Sequence, residues 1–451
     1  MPRVLMVTPY WPPINKVGVW RALRAARYLP DYGWTPVICT PNPEQVYKSK
    51  PALDTNCNVP PVEVIQPDTF IPSIAAAKAL ATPNHLLQRI KKTNNSTFTN
   101  YAAKFAQILD QASFRVIAEI LPPDQFVEWG FQVAKQFKER QDLEIDVVWT
   151  TGGPFGFFVA GALIADVLGK PLVLDYRDPW TTHRPPRTWW IAPPQSLFRK
   201  IEAWALSKAS AVGYIHRESL IANRAAFGQN PHALWSVITN GYDPIDLGDL
   251  PPRQLSAEYQ APAIVYAGNF YEERSALPVI HALLKLHEED PDGVDTPVTL
   301  HLFGQLDKPA SDYLKNTQLP KHRLRLYPRH SAEEIGSIMR GAEALLLVIG
   351  DGSGHRLALS GKLWDYMATG TPIIGIGPRV AAAKKFILDH ELGVWANSDD
   401  LSSILSVFKR LSRGQLKVPS DRSLQHFHAS NMSGSIAKLL NYAHHHPQQP
   451  K

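Results

Sequence analysis

Apolar runs of strand length alternate along this chain with longer segments whose apolar positions recur at helical spacing. Runs at Val4–Val7, Val37–Cys39, Val147–Thr150, Leu172–Leu174, Ala211–Tyr214 and Val237–Ile238 predict strands, and helical periods cover Trp20–Leu29 and Phe157–Leu168. A second series follows. Its strands are predicted at Ile264–Tyr266, Val298–Phe303, Leu324–Tyr327, Ala344–Val348 and Pro372–Ile376, with helices at Leu277–His287 and Glu333–Arg340 between them. Strands that alternate with helices in this rhythm build a parallel sheet covered by helices. The pattern therefore predicts an α/β protein of two doubly wound halves. The proline- and aspartate-rich stretch 241–253 reads as the linker, which gives domains at 1–248 and 249–420.

One long stretch, 68–141, interrupts the rhythm of the first half and reads as a helical insertion. Its core, 75–120, carries Lys78, Arg89, Lys91, Lys92, Lys104 and Arg115 against only Asp110 and Glu119, and Pro122 and Pro123 break it. Composition then narrows the class. With 451 residues, 44% hydrophobic and 20% charged, the chain is globular and long enough to fold without disulfide staples. Its two cysteines, Cys39 and Cys57, read as plain thiols, and no cysteine–histidine spacing suggests a metal site. No apolar run reaches the length of a bilayer span, and the start MPRVLMVTPYW is strand-like, not a signal segment. A soluble, cytoplasmic protein is expected. Lys plus Arg exceeds Asp plus Glu by 47 to 41. So mild a surplus does not point to nucleic acid; it suits a polyanionic small ligand, an anionic membrane surface, or solubility alone.

In an open parallel sheet, ligands bind beyond the carboxyl ends of the strands, so the residues just after each strand carry the chemistry. After the first strand the loop TPYWPPINKVGVWR offers Lys16, Gly18 and Arg21. TGGPFG follows the third predicted strand, and its glycines serve either a ligand or tight helix packing. LDYRDPW brackets the next strand end with Asp175, Arg177 and Asp178, which form either a structural network or an anion-holding or acid/base group. In the second half, YAGNFYEER sets Gly268 at a turn with Arg274 nearby, a pairing that suits a pyrophosphate. The segment SGKLWDYMATGTPII predicts a helix from about 361 to 369, capped by Ser360 and ended by Gly370. Lys362 and Asp365 share one face of it, as a phosphate and ribose contact or as a surface ion pair.

The stretches YWPPINKVGVWRALRAARYLPDYGW, DYRDPW, NGYD, YAGNFYEER and GKLWDYMATGTPII resemble the retaining glycosyltransferases of the GT-B fold, of the family 4 kind, and are similar to bacterial members that build cell-surface polysaccharides. The resemblance covers most of the chain outside 68–141. It implies two Rossmann-like domains facing across a cleft, with 421–451 as a C-terminal helix and tail that cross back to the first. It implies donor-binding roles for Gly18, Gly268, Arg274, Lys362 and Asp365, and catalytic positions at Arg177 and Asp178. Arg177 stands where many relatives carry histidine, Asn269 where they carry arginine, and Leu357 where they carry the first signature glutamate.

The activity implied is transfer of a sugar from a nucleotide-sugar donor to a saccharide or lipid-linked acceptor, with retention and without a metal. No cofactor is expected beyond the nucleotide-sugar as co-substrate. Arg21, Trp189 and Trp190 are expected on the acceptor side. The basic 68–141 segment and the tryptophan pair also suit peripheral attachment to an anionic membrane, or a cap over the acceptor. Two other classes remain open: a non-catalytic nucleotide-sugar-binding partner, and a GT-B nucleotide-sugar epimerase.

Overall fold

The computed structural model describes residues 1–14, 18–46, 58–69, 124, 126–140, 142–182, 195–228, 233–271, 274–317, 319–352 and 359–447. They form two compact units. The first takes the chain up to Asn240 and resumes at Ser430; the second is built on Gly241–Ala429.

The first unit holds a seven-stranded parallel sheet of β1 (Arg3–Val7), β2 (Thr35–Cys39), β3 (Glu63–Ile65), β4 (Val147–Gly152), β5 (Leu172–Tyr176), β6 (Ala209–Tyr214) and β7 (Leu234–Val237), in the order β3-β2-β1-β4-β5-β6-β7. Its inner strands are buried throughout because helices cover both faces. The principal helices are α1 (Val19–Tyr28), α2 (Phe126–Glu139), α3 (Gly156–Leu168), α4 (Gln195–Lys208) and α5 (Arg217–Phe227). Two expectations are corrected here. β3 is a further strand that the pattern does not announce, because it is three residues long and mostly exposed at the sheet edge. The interval 68–141 is not all insertion: its last part is α2, whose Phe126, Trp129, Val133 and Phe137 are core residues, with the Trp129 ring 5.0 Å from that of Phe157 on α3. The basic core of that interval lies outside the described residues.

The second unit holds a six-stranded parallel sheet of β8 (Ala263–Ala267), β9 (Thr299–Phe303), β10 (Leu324–Tyr327), β11 (Ala344–Val348), β12 (Ile373–Gly377) and β13 (Gly393–Asn397), in the order β10-β9-β8-β11-β12-β13. Around it lie α6 (Leu277–Glu289), α7 (Lys308–Asn316), α8 (Ala332–Arg340), α9 (Gly361–Met367), α10 (Ala382–Asp389) and α11 (Leu401–Ser412). α8 begins with a capping box, Ser331 and Glu334 each satisfying the other's backbone N–H.

The units divide at 240/241 and 429/430, where the proline- and aspartate-rich stretch suggests 248/249 and the resemblance implies 420/421. The reason is a pairing of the two passages: Tyr242 N–H donates to the Phe427 carbonyl at 3.0 Å and Ala429 N–H to the Tyr242 carbonyl at 2.8 Å. The last helix, α12 (Ala429–His445), buries Ile436, Leu440 and Ala443, and Asn441 Oδ1 accepts from Trp34 Nε1 at 2.9 Å in the first unit. No helix among the described residues is long and apolar enough to cross a membrane.

In both sheets the strand order reverses beside the first strand of the unit, between β1 and β4 and between β8 and β11. Loops leaving adjacent strands in opposite directions open a crevice at such a point.

Candidate active site

The first cluster sits at the β1/β4 crevice and on β5 beside it. Gly18 lies at the start of α1, and a Cβ there would collide with Arg177 Nη1 and the Tyr10 ring. Gly18 is therefore required for close approach, since its backbone is ordinary helical. Arg177, one residue past β5, donates from Nε to the Gly152 carbonyl at 2.8 Å and from Nη2 to that of Gly153, both at the end of β4. Its guanidinium stands 5.9 Å from the Tyr10 ring centroid. Burial lowers the Arg177 pKa, opposed by the nearby Asp178 carboxylate. Asp178 itself is exposed. Thus Gly18 and the adjacent pair Arg177 and Asp178, far from it in sequence, are brought together.

Three corrections belong to this cluster. Arg21, expected on the acceptor side, is buried with every N–H committed. Nε and Nη2 grip Asp175 at 2.7 and 2.6 Å; Nη2 also reaches the Ile238 carbonyl, and Nη1 reaches the Thr239 carbonyl and Asn240 Oδ1. It is a structural hub with no donor left for a substrate, because the carboxylate it holds is itself fully buried. The three charges around β5 accordingly do not pair as one network: Asp175 turns to Arg21, Arg177 to the β4 loop. Finally, the start of α3 after TGGPFG does not await an anion. Asp124 fills it, accepting from Gly156 N–H at 2.9 Å through Oδ2 and from Phe126 N–H at 3.0 Å through Oδ1. Trp189 and Trp190 lie outside the described residues, as do Lys16 and Leu357.

The second cluster sits at the β8/β11 crevice. Gly268 directly follows β8 with φ +123°, and a Cβ on it would lie 2.6 Å from Lys362 Nζ. Its backbone angle strains any side chain, and one there would push the Lys362 ammonium aside. Lys362, in the first turn of α9, points its ammonium at the Tyr266 ring, 3.8 Å from the centroid. Nζ is buried and makes no hydrogen bond among the described residues. Burial, reinforced by the positive charge of Arg274 and only partly offset by Asp365, lowers its pKa to about 7. Arg274 leans on Tyr271, donating from Nη1 to the phenol oxygen at 2.9 Å. Asp365 is half-buried one turn along α9. Asn269 is occupied structurally, its Oδ1 accepting from Gln305 N–H at 3.1 Å. The helix is shorter than predicted, ending at Met367, with Gly370 left-handed at φ +69°, and Ser360 occupies its N-cap without a side-chain hydrogen bond.

A buried ammonium without a partner is costly. Lys362 and Arg274 thus bring two cations together beside the glycine turn at the end of β8.

Sequence reasoning passed over two groups. Tyr10 contributes the ring that Gly18 must accommodate, and only its place two residues before the double proline could have marked it. His216 follows β6 beside Asp178, and a single histidine at a strand end carries no motif.

No protein-family model matches this sequence, and no curated protein matches it. Solved structures of similar fold span nearly the whole chain. One is an α,α-trehalose-phosphate synthase (UDP-forming) from Burkholderia vietnamiensis, at 11% identity and TM-score 0.60, covering 99% of this chain and 100% of that one. Another is the corresponding synthase from Burkholderia xenovorans in complex with glucose-6-phosphate, at 14% identity and TM-score 0.59, covering 97% and 100%. A third is a sucrose-phosphate synthase from Thermosynechococcus elongatus, at 12% identity and TM-score 0.53, covering 98% of each chain. Two parallel α/β sheets in this order, matched end to end by such structures, make the fold GT-B, with two Rossmann-like domains.

Proposed function

We propose that this protein is a nucleotide-sugar-dependent glycosyltransferase. The observation that carries the reading is Lys362: its buried, unpaired ammonium beside the Gly268 turn and Arg274 fits a donor diphosphate. In this reading the second unit holds the donor, with the diphosphate on Lys362 and Arg274 and the ribose on Asp365. As the glycosidic bond breaks, negative charge gathers on the leaving diphosphate, and the two cations stabilise it. That role is why a metal-independent reaction is proposed. Retention of configuration is proposed on the resemblance of DYRDPW and GKLWDYMATGTPII to retaining enzymes. The first unit takes the acceptor, with Asp178 exposed at its crevice and Arg177 fixing the loop. A saccharide or sugar phosphate is the favoured acceptor class, supported by the neighbours that make trehalose phosphate and sucrose phosphate. A lipid-linked acceptor, with peripheral attachment at the inner face of a cell membrane and a place in polysaccharide synthesis, is the narrower version. The non-catalytic and epimerase alternatives are not favoured by those neighbours.

Calorimetric titration with UDP, GDP, ADP and TDP, followed by their sugar conjugates, tests the reading. One nucleoside diphosphate is expected to bind, and its sugar conjugate to be consumed in the presence of a sugar acceptor. Absence of binding by all four would remove the donor site.

A further inference from the structure

The surface beside Asp178 is completed by a residue that no motif marks. β5 and β6 pair in register with Tyr176 opposite Tyr214, and Ile215 N–H extends the ladder to the Tyr176 carbonyl. Two residues past the last paired residue of each strand stand Asp178 and His216, near enough at the carboxyl edge of the sheet for the Asp178 charge to act on the imidazole. His216 has extended backbone (φ −131°, ψ 139°) at the N-cap of α5, and its side chain does not cap that helix. Its ring is half-buried and makes no hydrogen bond among the described residues. The charged groups that face it are Asp178 past β5, Glu218 on its own helix and Arg21 from α1. Half-burial holds its pKa below the ordinary histidine value, against the opposing pull of Glu218 and Asp178, with Arg21 lowering it further. Burial therefore favours the neutral imidazole, which donates from one nitrogen and accepts at the other.

We infer that His216 and Asp178 together form a hydroxyl-binding pair in the first unit, which holds a sugar or sugar-phosphate acceptor. This rests on the glycosyltransferase reading and adds a residue to its acceptor side. An exposed carboxylate offers only acceptors, and a neutral imidazole beside it adds a donor and a further acceptor, which is what adjacent sugar hydroxyls need. Arg177 spends Nε and Nη2 on the β4 loop and so holds Asp178 in place through the backbone between them. A protonated His216 would instead pair with Asp178 and withdraw both groups from a hydroxyl. Sugar binding by the pair therefore weakens on acidification.

Two measurements on the whole chain test this. Histidine NMR titration of the wild type, Asp178→Asn and Glu218→Gln comes first. His216 is expected to titrate below its ordinary value and to move lower still in Asp178→Asn; a His216 curve unchanged by Asp178→Asn overturns the pairing. Ligand-observed NMR with glucose, galactose, mannose and glucose 6-phosphate comes second, on the wild type and His216→Gln, with thermal melting as a check on folding. At least one sugar is expected to bind the wild type and to lose about tenfold in affinity in a folded His216→Gln. Equal binding by the two proteins, or no binding of any of the four, overturns the inference. UDP binding is scored separately: its failure with both His216 results intact counts against the transferase reading and leaves the pair standing.

Discussion

Lys362 rests its ammonium 3.8 Å from the Tyr266 ring centroid, on the spot that any side chain on Gly268 would need. The protein thus holds a cation in a place that water cannot fully solvate and where, among the described residues, its ammonium makes no hydrogen bond. Such an arrangement costs stability, and under the proposed function an anion would offset that cost.

Replacing Lys362 with methionine separates those two effects. The folded pKa of about 7 lies below the ordinary lysine value of 10.5, so the folded state binds this proton less readily than the unfolded chain. Stability from this group is full above the unfolded value and declines as pH falls towards the folded one, after which the loss is constant. At pH 7, Lys362→Met should therefore raise stability by about 2 kcal/mol while weakening nucleoside diphosphate binding roughly 10- to 100-fold. Denaturant melts and calorimetry on the same samples check both signs.

Diphosphate binding should also take up a proton. Above pH 7 the free protein holds Lys362 increasingly neutral, and the bound anion restores its charge. Affinity is expected to fall as pH rises from 7 towards 10. Between pH 7 and 8, calorimetric enthalpies should vary with the ionisation enthalpy of the buffer, and Lys362→Met should lose most of that variation.

Gly268→Ala forces a Cβ onto a residue at φ +123° and against Lys362 Nζ. It should cost about 1–3 kcal/mol of stability and abolish measurable donor binding. In the Lys362→Ala background the steric part of that cost should shrink, and a double-mutant cycle reads the difference.

Arg21 behaves differently from the other arginines at the strand ends. Arg21→Met leaves the Asp175 carboxylate buried and unpaired, and should cost about 3–5 kcal/mol. The damage is to folding. A soluble fraction that survives should keep donor affinity within about twofold, because Arg21 touches only the first unit's own frame. Adding Asp175→Asn should recover part of the stability.

Asp178→Asn, by contrast, should fold and bind nucleotide normally yet lose turnover by tenfold or more, since its carboxylate is exposed at the crevice and supports no core hydrogen bond. Initial rates at saturating donor, read against acceptor concentration, check this.

The strand-helix rhythm was plain because buried parallel strands are continuous apolar runs, and these are hard to mistake. β3 was not, since an exposed three-residue edge strand buries too little to leave a pattern. α2 was hidden by its neighbours: a core helix beside a long basic stretch reads as part of that stretch. At the site, Gly268 and Lys362 were legible because glycine and lysine after a strand have a shared use at phosphates. Arg21 misled for the same reason. Position near a crevice does not tell whether a guanidinium turns outward to a ligand or inward to an aspartate, and only the partner, Asp175, decides it. His216 could not be read at all, because its significance lies in the register of two strands and not in its sequence neighbours.

The most direct test of the donor site is a titration of wild-type protein and Lys362→Met with UDP at pH 7, observed by calorimetry. Binding by the wild type, lost at least tenfold in a variant that melts no lower, is the predicted result. Equal UDP affinity in the two proteins would contradict the account, because the unpaired ammonium would then have no bearing on the nucleotide.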